Sequence, residues 1–96
     1  MNNMRPIHPG EHLQEEMQEL GLTASALANA LGVPPNRITQ ILKGTRAITA
    51  DTALRFSRYF GTTPEFWMNL QQSYELRTTR RVAGKRIERE VKKHAA

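Results

Sequence analysis

The chain has 96 residues, no cysteine and a formal net charge of +5. That length gives a single domain with room for about four to six short helices, one that gains stability by pairing with a second copy, and the missing cysteines exclude disulfides and thiolate metal sites, in keeping with a reducing cytoplasm. Hydrophobic residues make up 39% and charged residues 24%, the balance of a globular rather than a disordered chain; no apolar run approaches the roughly 18 residues of a membrane span and residues 1–10 lack an apolar signal-peptide core, so the expected location is cytoplasmic, with no membrane partner.

In chain order, residues 1–8 read as an irregular arm. Helix one begins at Pro9, a residue favoured at the first helical position. Leu13, Met17 and Leu20 share one face, and Gly21 stops the helix. Thr23 is a candidate N-cap for helix two, with Leu27, Ala28 and Leu31 as its inner stripe and Gly32 at its end. Helix three starts at Pro35 and runs to Lys43, with Ile38, Ile41 and Leu42 inward and Gly44 as cap; Thr45-Arg46-Ala47-Ile48 is a loop. Thr49 caps helix four, Asp51 sits in its first turn where a negative charge suits the helix dipole, and Ala53, Leu54, Phe56 and Phe60 form its apolar side up to Gly61. Thr63-Pro64 opens helix five, whose stripe is Phe66, Trp67, Leu70 and Tyr74, residues expected in the core or on a dimer surface. Beyond Arg77 the pattern weakens, Gly84 interrupts it, and Ile87 and Val91 hint at one more short helix or a strand. The expected fold class is all-α, five helices joined by short connections and followed by a short basic C-terminal extension: arm 1–8, helical domain 9–77, extension 78–96.

Charge is unevenly divided along this plan. Residues 1–76 carry six basic and seven acidic side chains, whereas residues 77–96 carry eight basic and two acidic ones. The acids of the body cluster at 11–19 and its basic residues, Arg5 apart, begin only at Arg37. A basic middle and tail suit a polyanion, of which nucleic acid is the commonest; a tail that merely solubilises is the plain alternative.

The tight pair formed by helices two and three, residues 23–44, carries the functional signal. Ala28 supplies a small side chain at the closest approach, Gly32 a reversal with positive φ, Val33 an apolar plug, and Ile38 and Ile41 stiff inward positions. This is the spacing of a crossed helix-turn-helix rather than an antiparallel hairpin. The outer face of helix three then presents Pro35, Asn36, Arg37, Thr39, Gln40 and Lys43. Asn and Gln pair with adenine, and Arg with guanine, in the major groove. Lys43 and Arg46 suit phosphate oxygens, as do Thr23, Ser25 and the free N–H groups at the start of helix two. Any surface helix offers a solvated polar face; the crossed-pair spacing decides for DNA.

Residues 23–46 resemble the helix-turn-helix of the phage-repressor-like (Xre) family. The stretches RPIHPGEHLQEEMQELGLT, ITADTALRFSRYFGTTPEFWMNLQ and GKRIEREV further resemble the HigA-type antitoxins of bacterial toxin–antitoxin modules, over roughly residues 5–91, with 48–71 the most specific part. The resemblance implies a five-helix DNA-binding domain, a homodimer, repression from a palindromic operator in its own promoter, and a partner toxin, a small HigB-type ribonuclease that the antitoxin neutralises. The chain departs from generic repressors at Pro34-Pro35, where many place Ser or Gln. Pro35 donates no side-chain hydrogen bond, which moves base reading to Asn36, Arg37 and Gln40. A solitary regulator without a toxin, and a protein-interaction module, are the competing readings.

Other constellations are weak. HPGEH, residues 8–12, matches the H-x-x-E-H pattern of some zinc peptidases, but Pro9-Gly10 places His8 outside the helix and only His94 remains as a third imidazole. His8 is expected to cap or to lie on the surface. No nucleophile–base grouping and no phosphate-binding glycine loop is present, so the chain is expected to be no enzyme, to need no metal or cofactor and to act on no small-molecule substrate.

Overall fold

A computed structural model describes residues 5–95; the first half of the arm expected at 1–8 lies outside the described residues. The order is α1 (Pro9–Leu20), α2 (Ala24–Leu31), α3 (Pro35–Leu42), α4 (Ala50–Phe60) and α5 (Pro64–Glu90), with no strand among the described residues. The starts follow side-chain chemistry. The amides of Gly10, Ala26 and Phe66 donate to His8 Nδ1, Thr23 Oγ1 and Thr63 Oγ1 at 2.9, 3.1 and 3.1 Å. Each satisfies one of the otherwise orphaned N–H groups of a first turn. α3 lacks such a cap and opens instead on Pro35, whose missing N–H costs nothing there.

α2 packs on α3 and α4 on α5, while α1 bridges α3 and α5. Leu13, Leu27, Ile38, Ile41, Phe56 and Trp67 are completely buried between them, each large side chain contributing about 1.5–3 kcal/mol. Trp67 meets Phe56 edge-on at 4.8 Å between ring centroids, and its Nε1–H donates to Thr62 Oγ1 at 2.8 Å, so the indole enters the core with its polar atom satisfied. No described helix is long and apolar enough to cross a membrane.

Two expectations about the fold need correction. α5 does not weaken beyond Arg77 or break at Gly84: it is one helix of 27 residues. Glycine costs about 1 kcal/mol in a helix interior but does not break it when its neighbours are good helix formers, and Arg, Ala, Lys and Glu surround Gly84. Ile87 therefore lies inside α5, and the Val91 amide closes it on the Ile87 carbonyl at 2.9 Å; the basic extension begins within a helix. Leu20 and Leu54 fall outside the core, 56% and 59% exposed, at the edge of the faces that their periodicity suggested. Gln71, by contrast, is buried, and its Oε1 accepts the Ile48 amide at 2.8 Å, which ties the α3–α4 loop to α5.

Candidate nucleic-acid interface

α2 and α3 cross where Ala28 is fully buried. The Val33 amide returns to the Ala28 carbonyl at 3.0 Å, and Gly32 turns the chain at φ 73°, a left-handed conformation that costs a side-chain-bearing residue energy. With Ile38 and Ile41 fully buried, α3 is fixed with its other side outward. That side presents Pro35, Asn36 and Gln40 in the open, with Lys43 just past the helix end. Asn36, Gln40 and Lys43 follow at i, i+4 and i+7, one above another on one face.

Two of these side chains are held in place. Arg46 Nη1 donates to Gln40 Oε1 at 3.0 Å, which steadies the amide and leaves its NH2 group to donate. Thr39 is half-buried and bonds back to the Asn36 carbonyl at 3.3 Å, so it supports the face more than it projects from it. Thr23 caps α2 and Ser25 is exposed in its first turn, beside N–H groups that suit a phosphate.

Arg37 behaves differently from the outward residue that the sequence suggests. Its side chain is only 24% exposed. Arg37 Nη1 donates to Asp51 Oδ1 at 2.7 Å and lies 3.5 Å from Thr52 Oγ1, both in the first turn of α4. The same Asp51 oxygen accepts from Arg55 Nε at 2.7 Å, and Arg55 Nη1 donates to the Leu31 carbonyl at 2.8 Å. The Arg55 and then the Arg37 guanidinium hold the Asp51 carboxyl below the usual carboxylate range. Sequence shows the Asp51–Arg55 pair as neighbours at i, i+4; their links to Arg37 and Leu31, 14 and 24 residues away, have no local signal.

At the other end of α3, His8 and Gly10 fasten α1. His8 is buried, with its Nδ1 on the Gly10 amide and its ring edge-on to Tyr74 at 4.8 Å; it caps, as expected, but is not a surface residue. Of the aromatic stripe, Trp67 is core, Leu70 and Tyr74 are half-buried and Phe66 is exposed.

A short helix held by its apolar side across a supporting helix, with amide and cationic side chains outward, defines a helix-turn-helix DNA-binding domain. A family model described as "Helix-turn-helix" matches residues 13–67. The chain is 53% identical to virulence-associated protein I of Dichelobacter nodosus over 77 residues, 79% of this chain and 71% of that one. It is similar to the structure of a HigA-family addiction-module antidote protein from Coxiella burnetii, with a TM-score of 0.91 and 54% identity over 95% of this chain and all of that one. It is also similar to the Pseudomonas aeruginosa antitoxin HigA, solved with the higBA promoter, with a TM-score of 0.90 and 44% identity over the same shares. The chain belongs to the Xre-like helix-turn-helix family, in its HigA-type antitoxin branch. That is a family of regulators, and the chain is not an enzyme.

Proposed function

We propose that the protein is a dimeric, cytoplasmic repressor of its own promoter that also serves as antitoxin to a HigB-type ribonuclease. The observation that carries the DNA-binding part is the outward face of α3, with Asn36 and Gln40 exposed beside Lys43 and Arg46 while Ile38 and Ile41 are buried. In a major groove the two amides read adenine edges, and Lys43, Arg46, Ser25 and the α2 amide groups meet phosphates. Two protomers place their α3 helices in half-sites about one helical turn, or a multiple, apart. Repression follows from occupying the promoter. Support for the antitoxin role comes from relatives that bear that name, one of them solved on promoter DNA.

The test is binding of a duplex taken from immediately upstream of the protein's own reading frame, set against a scrambled duplex. Asn36→Ala and Gln40→Ala each weaken binding to the upstream duplex by about 1–3 kcal/mol and leave the scrambled one nearly unchanged, whereas Lys43→Ala weakens both and lowers the salt slope by about one. Equal losses on both duplexes for the amide variants remove their reading role. Co-expression with the product of a neighbouring ribonuclease-like reading frame tests the antitoxin role: restored growth and a co-purifying complex support it, and unrelieved toxicity rejects it in favour of a solitary regulator.

A further inference from the structure

We propose that Asp51 is a positioning residue for DNA reading, which sets the pose of α3 from behind through Arg37 and Arg55 without touching DNA. The inference rests on the function proposed above. One carboxylate oxygen receives both guanidinium groups, each at 2.7 Å. Through Arg37 it holds the first turn of α3. Through Arg55 it reaches the Leu31 carbonyl at the end of α2, at 2.8 Å. Arg55 also packs over the turn between them, since a Cβ on Gly32 would lie 3.4 Å from its Nη1. Asp51 itself belongs to the first turn of α4. A single side chain thus joins the end of the support helix, the start of the reading helix and the start of α4.

The apolar contacts of Ile38 and Ile41 fix which side of α3 faces out, but they sit in its middle and later part. Among the described residues, Arg37 ties its first turn sideways to α4, at Asp51 and more loosely at Thr52, and that turn carries Asn36. Base reading depends on placing an amide within tenths of an ångström of a base edge, whereas phosphate attraction tolerates looser placement. Loss of the tie therefore costs specificity more than affinity. The pair also keeps Arg37 off the outer face, so that its charge adds little to indiscriminate binding.

Wild type, Asp51→Asn, Arg37→Gln and the double variant are compared on the upstream and scrambled duplexes across a salt series. Asp51→Asn is expected to lower the ratio of upstream to scrambled affinity by about tenfold, with scrambled binding unchanged or tighter. The double variant is expected to do no worse than either single one, because both cut the same tie. A ratio within about twofold of wild type for Asp51→Asn overturns the proposal. So do additive losses, which make Arg37 a reader in its own right. If Asp51→Asn is unfolded by circular dichroism at the binding temperature, Arg37→Gln, which cuts the same pair and leaves Asp51 to Arg55, carries the same expectation and the same overturning result. A wild type that does not distinguish the two duplexes overturns the repressor reading itself, and this inference with it.

Discussion

The His8 ring is wedged between the start of α1, the loop at Arg46 and Tyr74 of α5, with its Nδ1 lone pair engaged by the Gly10 amide. Burial pushes its pKa below the ordinary imidazole value, against the smaller raising effects of the Glu11 charge and the Arg46 backbone. The unfolded chain then binds the proton more readily than the folded one. Stability is complete above about pH 6.5, falls as the pH drops below that value, and levels off once the folded pKa is passed. Glu11, held low by Arg5, and Asp51, held low by Arg55 and Arg37, add their own losses only below about pH 4.5. Urea unfolding between pH 7.5 and 5 should therefore show a falling midpoint, and His8→Asn, which can still cap, should flatten that slope; an equal slope in the variant assigns it to other groups. Trp67 makes a second case. By its sequence pattern it belongs to the core or to a dimer surface, and in the protomer it is wholly buried. Trp67→Ala is expected to cost about 3–5 kcal/mol, read as a large fall in thermal midpoint rather than as a folded monomer on size exclusion.

Helix starts were legible wherever a cap was written beside them, at Pro9, Thr23, Thr49 and Thr63, because capping is a contact within three residues. The motif pair was legible for the same reason: Ala28, Gly32, Val33, Ile38 and Ile41 form one local pattern. Elements misled where the deciding contact was distant. Arg37 sits at an outward-looking position of α3 by sequence, yet Asp51 in α4 draws it aside. Gln71 carries no sign in sequence that its partner is the Ile48 amide, 23 residues back. The reach of α5 was hidden because Gly84 looks like punctuation and the polar composition gives no stripe. A side chain at Gly84 would meet nothing closer than the Arg80 Cβ at 3.9 Å, and the backbone there is helical. Gly84→Ala should therefore raise stability by up to about 1 kcal/mol, seen as greater helicity and a higher urea midpoint; a loss in either shows that the glycine serves a contact outside this protomer.

At the scale of the molecule, the two ends of α3 are secured by different means. Near its start a charged tie through Asp51 and Arg55 joins it to α4 and α2. Near its end the fastening is steric: Gly10 lies so close that an added Cβ would collide with the Ile41 carbonyl oxygen. Overpacking of this kind costs about 1–3 kcal/mol, and it falls on the joint between α1 and the reading helix. Reading and stability thus meet on one helix without sharing residues or a face. Substitutions on the outward amides are expected to alter DNA preference at constant stability, whereas those at His8, Gly10 or Trp67 alter stability first.

The unbroken α5 gives a small bundle reach. At 1.5 Å per residue its 27 residues extend about 40 Å, with Trp67 and Gln71 anchoring one end in the core and Val82, 81% exposed, standing well along the other. A partner that grips the far half holds a lever whose fulcrum is the domain core, and it steers the whole reading head rather than any one side chain. Were the proposed dimer joined through these rods, they would act as a ruler: their length and crossing angle would set the separation of the two α3 helices, and with it the operator spacing that the pair accepts.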